Sequence, residues 1–244
     1  MFIKNPNLPN KKVKSVLIDY RALKTKLALE ALGIKVYTTP KADIAYSAIS
    51  GHPDIAFHLL DENSAIAAPQ TYDYYCSLFG KKHIIKGKKK IGASYPDDSA
   101  YNAARIGKYF FHNEKITDKT IFEYYKEKSI NLINVKQGYT KCSICIVAEN
   151  AIITEDKKAA DAAVKNGFDS LLITPGNIRL RGFPYGFIGG SSGKLSDKLI
   201  AFNGNIEMHR DYDKIKFFCS EHNVEILSLT NDMVEDIGSI IPIE

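Results

Sequence analysis

The sequence predicts an α/β protein in which a strand–strand–helix–strand (ββαβ) unit recurs about five times. Short β-branched runs alternate with amphipathic helical segments along the whole chain, and this pattern repeats roughly every 40–45 residues. Glu149-Asn150 and Asn203-Gly204 also predict hairpins within units, which argues against a purely parallel sheet. We therefore expect one domain, residues 1–244, closed into a five-fold α/β-propeller. A three-layer α/β sandwich is the alternative.

The first unit, about residues 13–50, has one strand fewer than the others. VKSVLI is its first strand, RALKTKLALEAL is a helix, and IKVYTT is the strand that follows. Gly33 is placed to end the helix as a C-cap. The predicted apolar face comprises Leu23, Leu27 and Ala31, at i, i+4 and i+8.

The second and third units, about 51–90 and 91–136, show the complete order. DIAFHLL and AIAA are strands, Pro69 opens a helix, Gly80 ends it, and HIIK is the exit strand. In the third unit NAARIG and YFFH precede a helix with Thr117 as its predicted N-cap, and INLINV follows.

The fourth and fifth units, about 137–180 and 181–244, contain the two hairpin signals. CSICIVAENAIIT is a hairpin followed by a helix that begins at Asp156. KLIAFNGNIEM is a second predicted hairpin, again followed by a helix. The predicted inward residues of these helices are Ala159, Ala160, Ala163 and Val164, then Tyr212, Ile215 and Cys219.

Composition limits the classes of partner. The net charge is +5 and the lysines cluster in short runs, which is typical of solvated surface, so we expect no nucleic-acid partner. No apolar run approaches the ~18 residues of a membrane span, and the N-terminus has no signal-peptide pattern. The sequence therefore predicts a cytoplasmic protein with no membrane association and reduced thiols.

The sequence predicts no cofactor and no metal. Cys142 and Cys145 have CxxC spacing, but no second pair or matching histidines follow, and they lie in a strand-like run. GGSSGK lacks the Walker pattern, because Ile188 and Leu195 occupy positions that need Gly and Ser or Thr. Such a glycine-rich turn either binds an anion or simply joins two strands. Cys76 and Cys219 are predicted to be core residues.

Several segments resemble a known fold family. Five ββαβ units in a ring resemble the pentein fold of the guanidine-modifying enzymes, which also includes a non-catalytic ribosome-binding member. The more specific resemblance is to an uncharacterised clostridial family of that fold, from about residue 50 to the C-terminus. The segments that carry it are QGYTKCS, ITEDKKAA, GFIGGSSGK and DIGSIIPI. The resemblance implies a polar site on the ring axis.

The sequence departs from the machinery that this resemblance implies. Catalytic penteins use a Cys nucleophile in the last unit, a His-x-Asp in the preceding unit and carboxylates that bind the guanidinium. Here the segment 189–193 holds Ser191 and Ser192, and the preceding unit holds Lys141-Cys142-Ser143. We therefore expect the usual Cys-His amidinohydrolase site to be missing.

Other residues are candidates for a rearranged site. His52-Pro53-Asp54 is a His-x-Asp in the second unit, and it is equally consistent with a simple turn. Cys142 is a candidate nucleophile beside Lys141, although a free Cys is more often a small buried apolar residue. The predicted catalytic residues are His52, Asp54 and Cys142, and the predicted substrate-binding residues are Lys141, Ser143, Ser191, Ser192, Asn102 and Arg181.

Two functions remain open. The first is a non-catalytic ring with a polar axial pocket for a small molecule, such as a guanidino or ureido compound. The second is an enzyme of the guanidine-modifying type, a hydrolase or amidinotransferase that uses Cys142 with His52 and Asp54. The Gly-, Pro- and aromatic-rich segment 175–187 is expected to cover the hub of the ring. A homodimer is a possible assembly.

Overall fold

The computed structural model describes residues 2–41 and 44–244. Within these ranges the chain forms fifteen strands and seven α-helices. Strands β1–β15 are Ser15–Ile18, Lys35–Thr38, Phe57–Leu59, Ala65–Ala67, Ile84–Lys86, Ala104–Ile106, Tyr109–His112, Asn131–Asn134, Ile144–Ala148, Ala151–Thr154, Asp169–Leu172, Ser192–Ser196, Leu199–Phe202, Glu225–Ser228 and Ile241–Pro242. Helices α1–α7 are Leu23–Ala31, Pro53–Ala56, Tyr72–Phe79, Lys119–Glu127, Thr140–Ser143, Lys157–Lys165 and Tyr212–Glu221.

The strands form five sheets of three strands each. In β3-β4-β5, β6-β7-β8, β9-β10-β11 and β12-β13-β14 the first pair is an antiparallel hairpin, and the third strand is parallel to the second. A parallel third strand requires a crossover, which α3, α4, α6 and α7 provide. Each sheet is therefore one ββαβ unit, and the predicted α/β fold class is confirmed.

The two ends of the chain close the ring. The sheet of the first unit has the order β15-β1-β2, so its antiparallel strand comes from the C-terminus. Val16 pairs with Pro242 and Leu17 pairs with Ile241. The prediction that the first unit lacks one strand is confirmed, and β15 supplies the missing strand.

The hydrophobic core is divided among the contacts between neighbouring units. One cluster joins Leu17 of the first unit to Phe57 and Tyr75 of the second, and corresponding clusters join each later unit to the next. The fifth cluster joins Ala201 of the last unit to Val16 of the first. This cyclic arrangement buries one face of every sheet against its neighbour.

The predicted apolar face of α1 is wrong. Leu23 and Leu27 are about two-thirds exposed, whereas Thr25 and Leu29 are the buried residues of this helix. The hydroxyl of Thr25 donates a hydrogen bond to the side-chain oxygen of Asn203. The helix therefore turns a mixed polar and apolar stripe inward, which a search for apolar periodicity alone does not find.

The predicted hairpin at Asn203-Gly204 is also wrong. The hairpin of the fifth unit is β12–β13, which turns at Asp197 and Lys198. Gly204 has φ +116°, and a Cβ there would collide with the backbone of Val234. Gly204 therefore allows the backbone near Val234 to approach closely, because it has no Cβ. This close approach requires glycine just as a tight hairpin turn does.

Two predicted strand starts are helical turns. Asp54 lies in α2 and Cys142 lies in α5, and each one-turn helix leads directly into the first strand of its sheet. Gly80 follows α3 with φ +87° as expected, but that helix begins at Tyr72 rather than at Pro69. These turns matter because they place polar side chains at the centre of the ring.

Smaller differences concern helix caps and faces. Asp118 caps α4 through a hydrogen bond from the Thr120 N–H, and the predicted cap Thr117 instead contacts His112. Val164 is 60% exposed, although the three alanines predicted with it are buried. In α7 the predicted Ile215 and Cys219 are buried, and Tyr212 is partly buried.

Candidate functional site

Five entry turns, one leading into the first strand of each sheet, meet at the centre of the ring. We call this meeting point the hub. The turns comprise residues 52–56, 99–103, 140–143, 188–191 and 236–240. Hydrogen bonds join each turn to the next, so the hub is a single connected structure.

One residue from each turn takes part in this closed ring of bonds: Asp54, Asn102, Cys142, Gly190 and Ser239. The successive hydrogen bonds are Asn102 Nδ2 to Asp54 O at 3.4 Å, Cys142 N to Asn102 Oδ1 at 3.2 Å, Gly190 N to Cys142 O at 2.7 Å, Ser239 N to Gly190 O at 2.7 Å, and Ser239 Oγ to Asp54 Oδ2 at 3.0 Å. The ring fixes the polar side chains at the hub relative to one another.

Cys142 lies at the hub with two polar partners. Its thiol donates a hydrogen bond to Asp54 Oδ2 at 3.1 Å, and Asn102 Nδ2 donates to its Sγ at 3.3 Å. Donor atoms of His52, Asp54 and Cys142 all lie within 4.8 Å of one another. Burial raises the pKa of the Cys142 thiol well above its usual value, and the charges of Asp54 and Asp236 raise it further.

A buried lysine, Lys141, is connected to Asp54 through the hydroxyl of Ser239. Lys141 Nζ donates to Ser239 Oγ at 2.9 Å. Burial lowers the pKa of Lys141, and the nearby charge of Asp54 opposes that shift. Ser239 has φ +78°, a strained conformation for a residue with a Cβ. Such strain is typical of functional positions, and here it points the hydroxyl between Lys141 and Asp54.

His52 is paired with a second buried carboxylate. Its Nδ1 lies 3.7 Å from Asp236 Oδ1. The two carboxylate oxygens of Asp236 accept backbone hydrogen bonds from Gly238 and Phe187, both at 3.0 Å. Burial raises the pKa of Asp236. Gly238 has φ +69°, and a Cβ there would collide with His52, so this turn packs directly against the imidazole.

A cavity of about 300 Å³, the hub cavity, opens above these groups. His52, Cys142 and Asp236 line its floor. Its walls are almost entirely apolar and aromatic: Tyr46, Ile49, Tyr139, Leu180, Phe183, Pro184, Tyr185 and Phe187. The segment 175–187 supplies much of this wall, which agrees with its predicted position over the hub.

The other predicted site residues have local roles. Ser143, Ser191 and Ser192 donate to carbonyl oxygens of their own turns, and all three are buried. Arg181 is exposed and contacts Glu235 at 3.2 Å. Within the part of the chain that the structure describes, none of these four lines the hub cavity.

A second cavity of about 380 Å³, the charged cavity, adjoins the hub cavity at Leu180 and Asp236. It is lined by four ion pairs, most of them exposed, whereas Asp19 is buried. These pairs are Arg21–Asp19, Lys24–Asp232, Arg179–Glu235 and Arg181–Glu235.

Sequence reasoning missed Asp236 and Ser239. Both lie in DIGSIIPI, which carried part of the family resemblance but was not treated as a unit entrance. The useful signal was the missing strand of the first unit. Because that strand has to come from elsewhere, the residues before the C-terminal strand form a fifth entry turn.

A family profile matches residues 17–241, which is most of the chain; its description is "Family of unknown function (DUF6873)". The chain belongs to this family. No curated protein sequence matches the chain. Among the described residues no helix is long and apolar enough to cross a bilayer.

Solved structures of guanidine-modifying enzymes share the fold. Dimethylarginine dimethylaminohydrolase from Pseudomonas aeruginosa, a Cys-to-Ser variant bound to citrulline, is similar with a TM-score of 0.58 and 8% identity, over 94% of this chain and 96% of that one. Agmatine deiminase from C. jejuni is similar with a TM-score of 0.57 and 9% identity, over 98% of this chain and 97% of that one.

Inosamine-phosphate amidinotransferase from Streptomyces griseus gives a TM-score of 0.56 and 9% identity, over 94% of this chain and 92% of that one. At these identities the similarity establishes the fold alone, and the fold of this family member is the pentein fold. The clostridial origin, cytoplasmic location, unit boundaries, homodimer and lack of a nucleic-acid partner stay predictions.

Proposed function

We propose that the hub cavity binds a small cationic guanidino or amidino compound and that Cys142 attacks its central carbon. The observation that carries this proposal is the hydrogen bond of 3.1 Å between Sγ of Cys142, which lines the hub cavity, and Oδ2 of Asp54, which is buried behind it. A nucleophile beside a general base that is itself held by a third group is the arrangement that covalent catalysis requires.

The charges at the hub favour a cation. Asp54 and Asp236 are two buried carboxylates, and Lys141 is the cation hydrogen-bonded through Ser239 to one of them. Asp54 Oδ1 is buried with no hydrogen-bond donor. A planar cation with several N–H groups would supply donors to Asp236, which lines the hub cavity, and the negative charge of the buried Asp54 would also attract it. Aromatic walls stabilise the faces of such a cation.

Cys142 and Asp54 supply the nucleophile and the proton acceptor that exchange of a C–N bond requires. Cys142 Sγ bonds to the central carbon while its proton passes to Asp54. The bond from that carbon to one nitrogen breaks, and the nitrogen takes the proton and leaves as ammonia or an amine. Water, or an acceptor amine in a transferase, then adds to the carbon, and the S–C bond breaks to return the thiol.

A second candidate is the ring that binds such a cation without turnover. The raised pKa of Cys142 favours it, because a thiol that keeps its proton is a weak nucleophile. The two candidates share the ligand class and differ only in whether Cys142 forms a bond. A test must therefore separate binding from covalent reaction.

The test compares 2-chloroacetamidine, a cation, with 2-chloroacetamide, its neutral counterpart with the same reactive group. We expect the amidine to alkylate Cys142 at least ~10-fold faster, because close charge pairs between binding partners have coupling energies of about 1.5 kcal/mol or more, and about 1.4 kcal/mol corresponds to a factor of ten. Peptide mass spectrometry identifies the labelled residue. Asp236→Asn is expected to reduce the preference for the amidine.

Cys145→Ser is the matched control, because Cys145 is a buried thiol three residues away that packs in the core between the fourth and fifth units. Its labelling pattern at Cys142 should equal that of the wild type. Absence of label at Cys142, or equal rates for the two reagents, contradicts the proposal. A guanidino compound that raises Tm without release of ammonia or amine selects the binding-only candidate.

A further inference from the structure

Three side chains with different donor atoms meet at the floor of the hub: an imidazole, a carboxylate and a thiol. The donor atoms of His52, Asp54 and Cys142 lie within 4.8 Å of one another, and all three residues are at least nine-tenths buried. Asp54 Oδ1 is buried without a hydrogen-bond partner, and His52 Nδ1 faces Asp236, so Nε2 is the nitrogen that would bind a metal ion. We propose that these residues form a site for one zinc-type divalent transition-metal ion.

The spacing is close to that of an occupied tetrahedral site. Ligand atoms about 2.0–2.3 Å from zinc lie roughly 3.3–3.8 Å from one another. Here Cys142 Sγ is 3.1 Å from Asp54 Oδ2, and the full spread of the three donors is 4.8 Å. Small side-chain rotations close this gap. The backbone already fixes the positions, because Asn102 Oδ1 accepts from the N–H groups of both Lys141 and Cys142.

The donor set selects the class of metal. Thiolate and imidazole ligands favour zinc and its neighbours over magnesium and calcium, which take oxygen ligands. Charge is also balanced, because a thiolate and a carboxylate neutralise a divalent ion. Lys141 and Asp236 are a further buried cation and anion around this neutral group. A balanced charge is important where burial makes an unpaired ion costly.

Three protein ligands leave a fourth position open. Because Cys142 and His52 line the hub cavity, that position faces the cavity and takes a water molecule or a small ligand. Asp236 lies 3.7 Å from His52 Nδ1, where a carboxylate orients a metal-binding imidazole. A metal ion in this position would occupy Cys142 and Asp54, so it would block the proposed reaction.

Cobalt(II) titration of chelator-treated full-length protein tests the site directly. We expect one cobalt ion per chain by equilibrium dialysis, with a thiolate-to-cobalt charge-transfer band and the intense visible bands of tetrahedral cobalt. Cys142→Ser should lose the charge-transfer band and bind at least ~10-fold more weakly, and Asp236→Asn should weaken binding by about 10–100-fold. Cys145→Ser should bind as the wild type does.

A second measurement begins with the wild type, in which misfolding of a variant plays no part. Zinc should slow iodoacetamide alkylation of wild-type Cys142 at least ~10-fold, and a chelator should restore the rate. His52→Asn should remain alkylated in the presence of zinc. A wild type without a thiolate–cobalt band, or a band that survives Cys142→Ser, overturns the metal site. The chloroacetamidine test is performed without metal, so each proposal fails or stands on its own result.

Discussion

The two cavities that meet at Leu180 and Asp236 hold their charges in different ways. In the charged cavity, Lys24 and Asp232 form an ion pair of 2.7 Å with side chains 73% and 49% exposed. At the hub, Asp54 and Lys141 are 2% and 7% exposed and are joined through one serine hydroxyl. The Lys24–Asp232 pair is thus solvated, whereas the polar network at the hub is buried.

This difference in exposure indicates which charged groups are candidates for a function. Exposed ion pairs contribute little free energy, because water and salt screen them and the long side chains lose entropy. Buried charges reduce the free energy of unfolding unless each one is paired or hydrogen-bonded. They are therefore most often found where they serve a function such as binding or catalysis. The buried network of the hub is therefore the place to look for chemistry, and the exposed Lys24–Asp232 pair is not. Four predictions test this contrast.

The largest difference is expected between matched aspartate variants. Asp54→Ala removes the acceptor of the Ser239 and Cys142 hydrogen bonds and leaves Lys141 without its nearby carboxylate. We expect it to lower the free energy of unfolding by about 3–5 kcal/mol. Asp232→Ala should change it by less than about 1 kcal/mol. Urea unfolding curves measure both, and equal losses would break the contrast between the two cavities.

Acid should weaken the buried interior more than the surface pairs. Burial lowers the pKa of His58 to about 3 and of His112 to about 4, with further lowering of the His58 value by His112 and Arg105. Both are neutral in the folded chain at pH 6.5, whereas the unfolded chain begins to protonate them there. Their contribution to the free energy of unfolding is fully present above pH 6.5. It is lost as the pH falls towards their folded-state pKa values of about 4 and about 3.

His112→Gln sharpens that test. The variant should be less stable at pH 7, because Thr117 and Gly138 lose a hydrogen-bonding partner. Its stability should then fall by about 3 kcal/mol less than that of the wild type between pH 6.5 and 4. Urea midpoints at a series of pH values measure this slope. An unchanged slope would show that His112 is not the group that titrates.

Ser239 provides an intermediate effect with an internal control. Ser239→Ala removes the hydroxyl that joins Lys141 to Asp54, and we expect a loss of about 1–3 kcal/mol. Ser239→Gly loses the same bonds but relieves the strain of φ +78°, which should restore about 1 kcal/mol. Thermal unfolding compares the two, and a glycine variant less stable than the alanine variant would contradict the role of strain.

The smallest effect is expected at Arg181. Its side chain is 73% exposed and shares Glu235 with Arg179. Arg181→Ala should change the free energy of unfolding by less than about 1 kcal/mol and should leave alkylation of Cys142 unchanged. A large loss of chloroacetamidine labelling in this variant would instead assign the charged cavity a part in ligand capture.

Much of the fold was predictable because its signals are local. The Glu149-Asn150 hairpin, the glycine after α3 and the inward face of α7 were all predicted correctly. The errors arose where a distant segment changed a local preference. Asn203-Gly204 has ideal hairpin chemistry, but the approach of Val234 uses its lack of a Cβ for another purpose.

The candidate site was predictable only in part. His52, Asp54 and Cys142 were chosen as a group, and the structure brings them together. Ser191 and Ser192 were chosen because they lie at a unit entrance, and Arg181 because it lies in the segment expected to cover the hub. Neither position determines where a side chain points. Their hydroxyl and guanidinium groups contact their own surroundings instead.

The sequence by itself determined the repeat, because each ββαβ unit follows from periodicity and turn residues within some forty positions. The tertiary structure alone decided which polar groups meet. Cys142 and Asp54 are 88 positions apart, and Ser239 and Asp54 are 185 apart. Only closure of the ring by the C-terminal strand brings these atoms within 3.1 Å, because the five entry turns share one axis that no local pattern records.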